Sequence, residues 1–255
     1  MILVGGKHNM KTKVWAHRGA SGYMPENTLP SFKKAVELGA DGVELDIQLS
    51  KDGEIVVCHD EVVDRTSNAK GWLKDYTLAE LKAMDFSYQF KELGKVSIPT
   101  MKEVFELLKP TNLIINIELK TGIFDYEGIE EKIIALTHAE GFENRVIYSS
   151  FNHYSIMKIQ ELDPKAKTAF LYSDGPLDMP LYGYEHHVNA LHPAAYNLRL
   201  PDFMEECNVY HLDVNVWTVN TEEIALMCLK YGVNTLITNY PDRIKKVIEQ
   251  YETGI

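Results

Sequence analysis

The feature that most constrains this chain is a regular alternation of short β-branched runs with longer amphipathic stretches. Strand-like runs fall at 13–17, 42–49, 113–120, 145–149, 168–171, 188–192, 214–219 and 234–238. Between them, apolar residues recur at helical spacing over 29–38, 101–108, 126–140, 154–161, 202–207, 221–231 and 241–251. Eight strands, each followed by a helix, is the count of a closed parallel (β/α)8 TIM barrel, and 255 residues suits one. A doubly wound open sheet is the alternative topology. The weakest unit is 168–185, where Ser173-Asp174-Gly175-Pro176 leaves room for only a short helix.

Local signals support the helices. Thr100-x-x-Glu103 and Asn220-x-x-Glu223 read as capping boxes, Pro241 suits a first helical turn, and Gly39 and Gly232 sit at expected helix ends. Residues 51–99 are too long for a single βα connection. They contain a hairpin signal at Asp52-Gly53, a loop at 64–68 and a helix start at Thr77-x-x-Glu80. This segment is expected to be an insertion serving the active-site face of one domain over 11–255. Residues 1–10 read as an N-terminal extension, with Met10 an alternative start; they are too short and mixed for a signal peptide.

Charge narrows the partners. With 26 Lys and Arg against 37 Asp and Glu, the net charge is −11, which argues against a nucleic-acid surface. An anionic ligand would then need a local reversal of the field, and a bound divalent cation is the simplest agent. Cys58, Cys207 and Cys228 lack a framework spacing, so no disulfide is expected and a reducing cytoplasm fits. No apolar run reaches transmembrane length, so no stable membrane insertion is expected.

Two strands carry the chemistry. Side chains alternate across a strand, so Glu44, Asp46 and Gln48 share one face, and Val43, Leu45, Ile47 and Leu49 the other. Asn116, Glu118 and Lys120 repeat this pattern against Leu113, Ile115, Ile117 and Leu119. The apolar faces suit the surrounding helices, which turns the acids towards the barrel axis. Taken singly, the first strand could be a solvated edge and the second a structural Glu–Lys pair; together they suggest a cation site. Glu44, Asp46 and Glu118 offer the hard oxygen ligands preferred by Mg²⁺ or Ca²⁺. His17 and His59 each end a strand-like run and can serve as an acid–base pair at neutral pH. Arg18, beside His17, supplies a fork for phosphate oxygens, and Lys120 a second positive charge. Trp217 could form an apolar wall and His192 could line the pocket; core packing is the competing role for both. Ser149-Ser150 lacks a nucleophile elbow, so a serine nucleophile is not expected.

These residues together resemble the glycerophosphodiester phosphodiesterase family. The stretch Ala16-His17-Arg18-Gly19-Ala20-Ser21-Gly22-Tyr23-Met24-Pro25-Glu26-Asn27-Thr28 is similar to its opening motif, followed at matching distance by Glu44-Leu45-Asp46 and His59-Asp60. Asp64-Arg65-Thr66, Ile98-Pro99-Thr100, Ile117-Glu118-Leu119-Lys120, Ser150-Phe151 and Val216-Trp217-Thr218-Val219-Asn220 continue in family order. The resemblance spans about 13–245 and is thinnest over 168–197. It implies a small insertion over 51–99, a metal on Glu44, Asp46 and Glu118, and His17 with His59 as general acid and base. Arg18 and Lys120 would hold phosphate, and the small-molecule substrate would be a glycerophosphodiester yielding sn-glycerol 3-phosphate and an alcohol. Asp60, Glu26 and Asn27 are expected to brace these groups. Competing expectations are a lysophospholipase D-like enzyme on the same barrel and a non-enzymatic binding barrel.

Overall fold

The computed structural model describes residues 11–254; the N-terminal extension at 1–10 lies outside them. Eight parallel strands close on themselves: β1 (Lys13–His17), β2 (Gly42–Leu49), β4 (Ile114–Leu119), β5 (Val146–Ser150), β6 (Lys167–Tyr172), β7 (Ala190–Pro193), β8 (Asp213–Val216) and β9 (Thr235–Thr238). β1 pairs with both β2 and β9, which completes the barrel and excludes the open sheet. β3 (Ile55–Val57) is antiparallel to the end of β2, as the hairpin signal predicts.

The outer helices are α1 (Leu29–Glu37), α3 (Met101–Leu108), α4 (Ile129–Glu140), α5 (His153–Leu162), α6 (Met179–Glu185), α7 (Phe203–Val209), α8 (Glu222–Tyr231) and α9 (Pro241–Thr253). Short α2 (Leu78–Ala83) lies in the insertion. The capping boxes at Thr77 and Thr100 form. The expected box at Asn220 does not. Thr221 is the cap and accepts from the Ile224 amide, while Asn220 Oδ1 accepts from the Asn239 amide and so fastens two loops at the barrel mouth. A sequence window cannot separate two adjacent capping-type residues when one has a tertiary partner.

The strand pleat sorts the side chains into two layers. Val43, Leu45, Ile47 and Leu49 face outwards into the main core with Phe32, Met101 and Phe105. Trp15, Ile147, Ala169, Ala190 and Ile237 pack inside the barrel. The insertion has its own small core of Val56, Cys58, Val63, Leu73, Leu81, Phe86 and Ile98. It is thus a folded excursion rather than a slack loop. Cys58, Cys207 and Cys228 are free and buried. Among the described residues, no helix is long and apolar enough to cross a membrane.

Candidate active site

A cleft of about 140 Å³ opens among the C-terminal strand ends. One side carries His17, Arg18, Glu44, His59, Asn116 and Glu118, and the other Phe151, Leu171, Trp217 and Ile237. The strand register explains the polar side. Glu44 lies opposite Asn116 and Asp46 opposite Glu118 across β2 and β4, so the inward residues of both strands converge at one height. Oxygens of Glu44, Asp46 and Glu118 lie within 4.8 Å of one another, and all three side chains are buried.

Three acids this close in a low-dielectric interior cannot all remain charged without compensation. Burial, reinforced by Asp46 and Glu118, pushes Glu44 well above the usual carboxylate range. Burial and Asp46 raise Glu118 to about 7. Burial would also raise Asp46, but electrostatic interactions with His59, Arg18 and Lys120 outweigh it and hold Asp46 at about 2. Asp46 Oδ2 accepts from Asn27 Nδ2 at 2.8 Å. Its Oδ1 is buried with no hydrogen-bond partner among the described residues. An orphaned carboxylate oxygen beside two acids held towards neutrality fits a hard divalent cation bound by oxygen.

The turn after β1 aims the next groups. Arg18 and Gly19 both adopt left-handed backbone conformations, with φ of 55° and 75°. Such a conformation is uncommon for arginine. Here it points the Arg18 amide at Glu44 Oε2, 2.9 Å away, and leaves the guanidinium beside Asp46. His17 Nδ1 meets Asn239 Oδ1 at 2.7 Å. The amide oxygen can only accept, so Nδ1 carries a proton and Nε2 is left open, 3.9 Å from Glu44. Burial, and then Arg18, lower His17 to about 4.

His59 comes from the insertion, held there by Gln48. That side chain follows Glu44 and Asp46 on the inward face of β2, and its amide donates to the carbonyls of Cys58 and Asp60, with the His59 carbonyl 3.2 Å away. His59 Nδ1 lies 2.7 Å from Asp60 Oδ1, and Nε2 lies 3.2 Å from Lys120 Nζ. Lys120 Nζ also donates to Glu118 Oε1 at 3.1 Å. Seven expected residues therefore converge on one site: His17, Arg18, Glu44, Asp46, His59, Glu118 and Lys120.

Trp217 lies on the apolar wall, edge-to-face with Phe151, and its indole Nε1 donates to the His192 carbonyl. His192 itself is fully buried and does not line the cleft. Its ring packs T-shaped against Trp15 and meets the amide of Asn215 inside the barrel. The pleat does turn it inwards, but into the packed interior, where burial lowers it to about 3. Sequence reading gave no role to two contributors. Phe151 directly follows β5, a position that feeds the mouth of any such barrel. Asn239 has no local signal; it meets His17 only because β9 and β1 close the barrel.

The chain is similar over most of its length to known proteins. The model of the glycerophosphoryl diester phosphodiesterase family matches residues 17–243. The chain is 43% identical over 242 residues to a glycerophosphodiester phosphodiesterase of Caldanaerobacter subterraneus subsp. tengcongensis, covering 94% of this chain and 99% of that relative. It is 41% identical to a glycerophosphodiester phosphodiesterase of Bacillus altitudinis, again covering 94% and 99%. Among solved structures, an Oleispira antarctica phosphodiesterase in complex with the product sn-glycerol-3-phosphate is 30% identical with a TM-score of 0.83, covering 93% of this chain and 96% of that one.

Proposed function

The chain belongs to the glycerophosphoryl diester phosphodiesterase family of phosphoric diester hydrolases, and from that premise we propose how its residues divide the work. Glu44, Asp46 and Glu118 hold a divalent cation, Mg²⁺ or Ca²⁺. The observation that carries this reading is the acid triad with its orphaned Asp46 Oδ1, lying beneath a cleft lined by two histidines. When bound, the cation supplies Lewis-acid stabilisation of phosphoryl charge. It also answers how an acidic protein receives an anionic diester.

The substrate is a glycerophosphodiester, cleaved to sn-glycerol 3-phosphate and an alcohol. Arg18 and Lys120 stabilise the non-bridging oxygens as negative charge builds there. His17 and His59 divide the two proton transfers, one activating the nucleophile and the other protonating the departing alkoxide. Each transfer is worth roughly 10²–10⁴-fold. Asn239 and Asp60 fix the ring orientations by holding Nδ1 of each imidazole. Trp217 and Phe151 give the glycerol or head group an apolar wall, and His192 supports Trp217 from the barrel interior. The molecule acts as one domain with the 51–99 insertion, in the cytoplasm.

The test is release of glycerol 3-phosphate from glycerophosphocholine and glycerophosphoethanolamine, in chelator and then with each ion restored. Activity that survives exhaustive chelation would remove the cation from the scheme. His17→Ala and His59→Ala should each abolish turnover with the fold retained. An aryl phosphodiester, whose leaving group needs no proton, should rescue only the variant that lacks the acid.

One observation favours lysophospholipids as a second substrate class. Exposed Ile123, Leu177 and Tyr196 lie on the loops that follow β4, β6 and β7, at the mouth of the cleft. Choline release from lysophosphatidylcholine, assayed beside glycerophosphocholine, decides between them.

A further inference from the structure

The family-like motif Asp64-Arg65-Thr66 plays no part in the chemistry above, yet Arg65 sits between two of its parts. Its Nη1 and Nη2 donate to the two oxygens of Glu26, each at 2.7 Å. On its other edge, Nε donates to Asp60 Oδ2 at 2.7 Å and Nη2 to Asp60 Oδ1 at 2.9 Å. One guanidinium thus grips two carboxylates, each through both oxygens.

Neither carboxylate stops there. Glu26 Oε1 also accepts from Arg18 Nη1 at 2.8 Å, and Asp60 Oδ1 also meets His59 Nδ1 at 2.7 Å. The result is an unbroken chain, Arg18–Glu26–Arg65–Asp60–His59. Its two ends are cleft residues from different parts of the fold: Arg18 from the barrel loop after β1, His59 from the insertion. Arg65 is its middle link and also belongs to the insertion.

We propose that Arg65 is a positioning residue that sets the phosphate-binding Arg18 and the acid–base His59 in register with each other. The proposal rests on the roles given above to Arg18 and His59. Isolated surface ion pairs contribute little, but doubly bidentate geometry fixes angle as well as distance. Lysine cannot replace the fork, because a single ammonium lacks the planar pair of edges. Without Arg65, Glu26 can follow Arg18 away from Asp46, and Asp60 is free to rotate with the His59 ring. Both substrate binding and turnover then suffer, whereas loss of Asp60 alone acts on turnover and loss of Glu26 alone on binding.

The experiment compares kcat and KM for glycerophosphocholine in Arg65→Ala, Arg65→Lys, Glu26→Gln and Asp60→Asn, with Arg18→Ala and His59→Ala as references. Arg65→Ala should lower kcat and raise KM together, cutting kcat/KM 10- to 100-fold. Asp60→Asn should move mainly kcat, and Glu26→Gln mainly KM. Because Arg65 is partly exposed, millimolar guanidinium should restore part of the Arg65→Ala loss, and ammonium at equal ionic strength should not. If Arg65→Ala fails to fold, Arg65→Lys carries the test, with a loss in both constants expected. Wild-type constants in either Arg65 variant overturn the proposal, as does a loss in kcat alone that guanidinium leaves untouched. Wild-type constants in Arg18→Ala or His59→Ala would instead overturn the underlying roles.

Discussion

The acid triad sets up a conflict between stability and function at single residues. Removing one charge should relieve it: Glu44→Gln keeps the oxygen that accepts from the Arg18 amide but deletes a buried repulsion. In chelator at pH 8 this variant should gain about 1–2 kcal/mol, raising Tm by roughly 2–8 °C, while losing the stabilisation that Mg²⁺ gives the parent. Calorimetry with and without the ion measures both, and a Tm that falls in chelator would mean Glu44 is already well compensated. The same acids predict a pH signature. Glu118 is raised to about 7 from the usual 4.5, so between those values the metal-free fold holds a proton that the unfolded chain releases. Stability of the metal-free protein therefore declines as pH rises through that window. A cation competes with that proton, so the Tm increment on adding Mg²⁺ should be small at pH 5 and large at pH 8. An increment that is flat across this range would remove the triad as the binding site.

At the scale of strands and helices, the barrel works because small residues stand where strands approach closely. A side chain at Gly42, the first residue of β2, would place its Cβ 2.6 Å from Trp15 Cδ1 and 2.7 Å from the Ile114 carbonyl. The clash joins β1, β2 and β4 on the same strands that carry His17, Glu44 and Glu118. Gly42→Ala should cost about 1–3 kcal/mol by overpacking. Trp15→Phe in the same chain should recover part of that loss, as expected for residues in contact. Additive losses in the double variant would place the strain on the Ile114 carbonyl instead. The strands themselves were legible in the sequence because a two-residue period and β-branched composition are local properties. The inward placement of Glu44, Asp46 and Glu118 followed from the same period. Three features were not legible, each for a tertiary reason. Asn220 loses the cap to Thr221 because it serves Asn239. His192 is turned into the packed interior beside Trp15. Arg65 gains its partners only when the insertion folds back over the loop after β1. Periodicity gives the face of a strand, but not the depth of a residue within the barrel or which distant loop will meet it.

At the scale of the whole molecule, long-range and short-range electrostatics oppose each other. The net charge of −11 repels an anion at a distance, whereas in the proposed scheme the cation, Arg18 and Lys120 would attract it inside the cleft. The two ranges are separable, because salt screens exposed charges beyond about 10 Å at 0.1 M and leaves buried groups largely unscreened. Glycerophosphocholine is zwitterionic and feels little of the outer field, while glycerophosphoglycerol carries a net negative charge and feels all of it. Raising NaCl from about 10 to 150 mM should therefore raise kcat/KM for glycerophosphoglycerol relative to glycerophosphocholine by roughly two- to fourfold. Taking the ratio of the two substrates cancels any effect of salt on cation binding or on the fold. A ratio that falls with salt would show that the positive groups of the cleft already govern the encounter, and that the acidic surface lies too far from the mouth to matter. A rising ratio would mean that the surface sorts diesters by head-group charge before any residue of the site touches them, a selectivity set by composition rather than by contact.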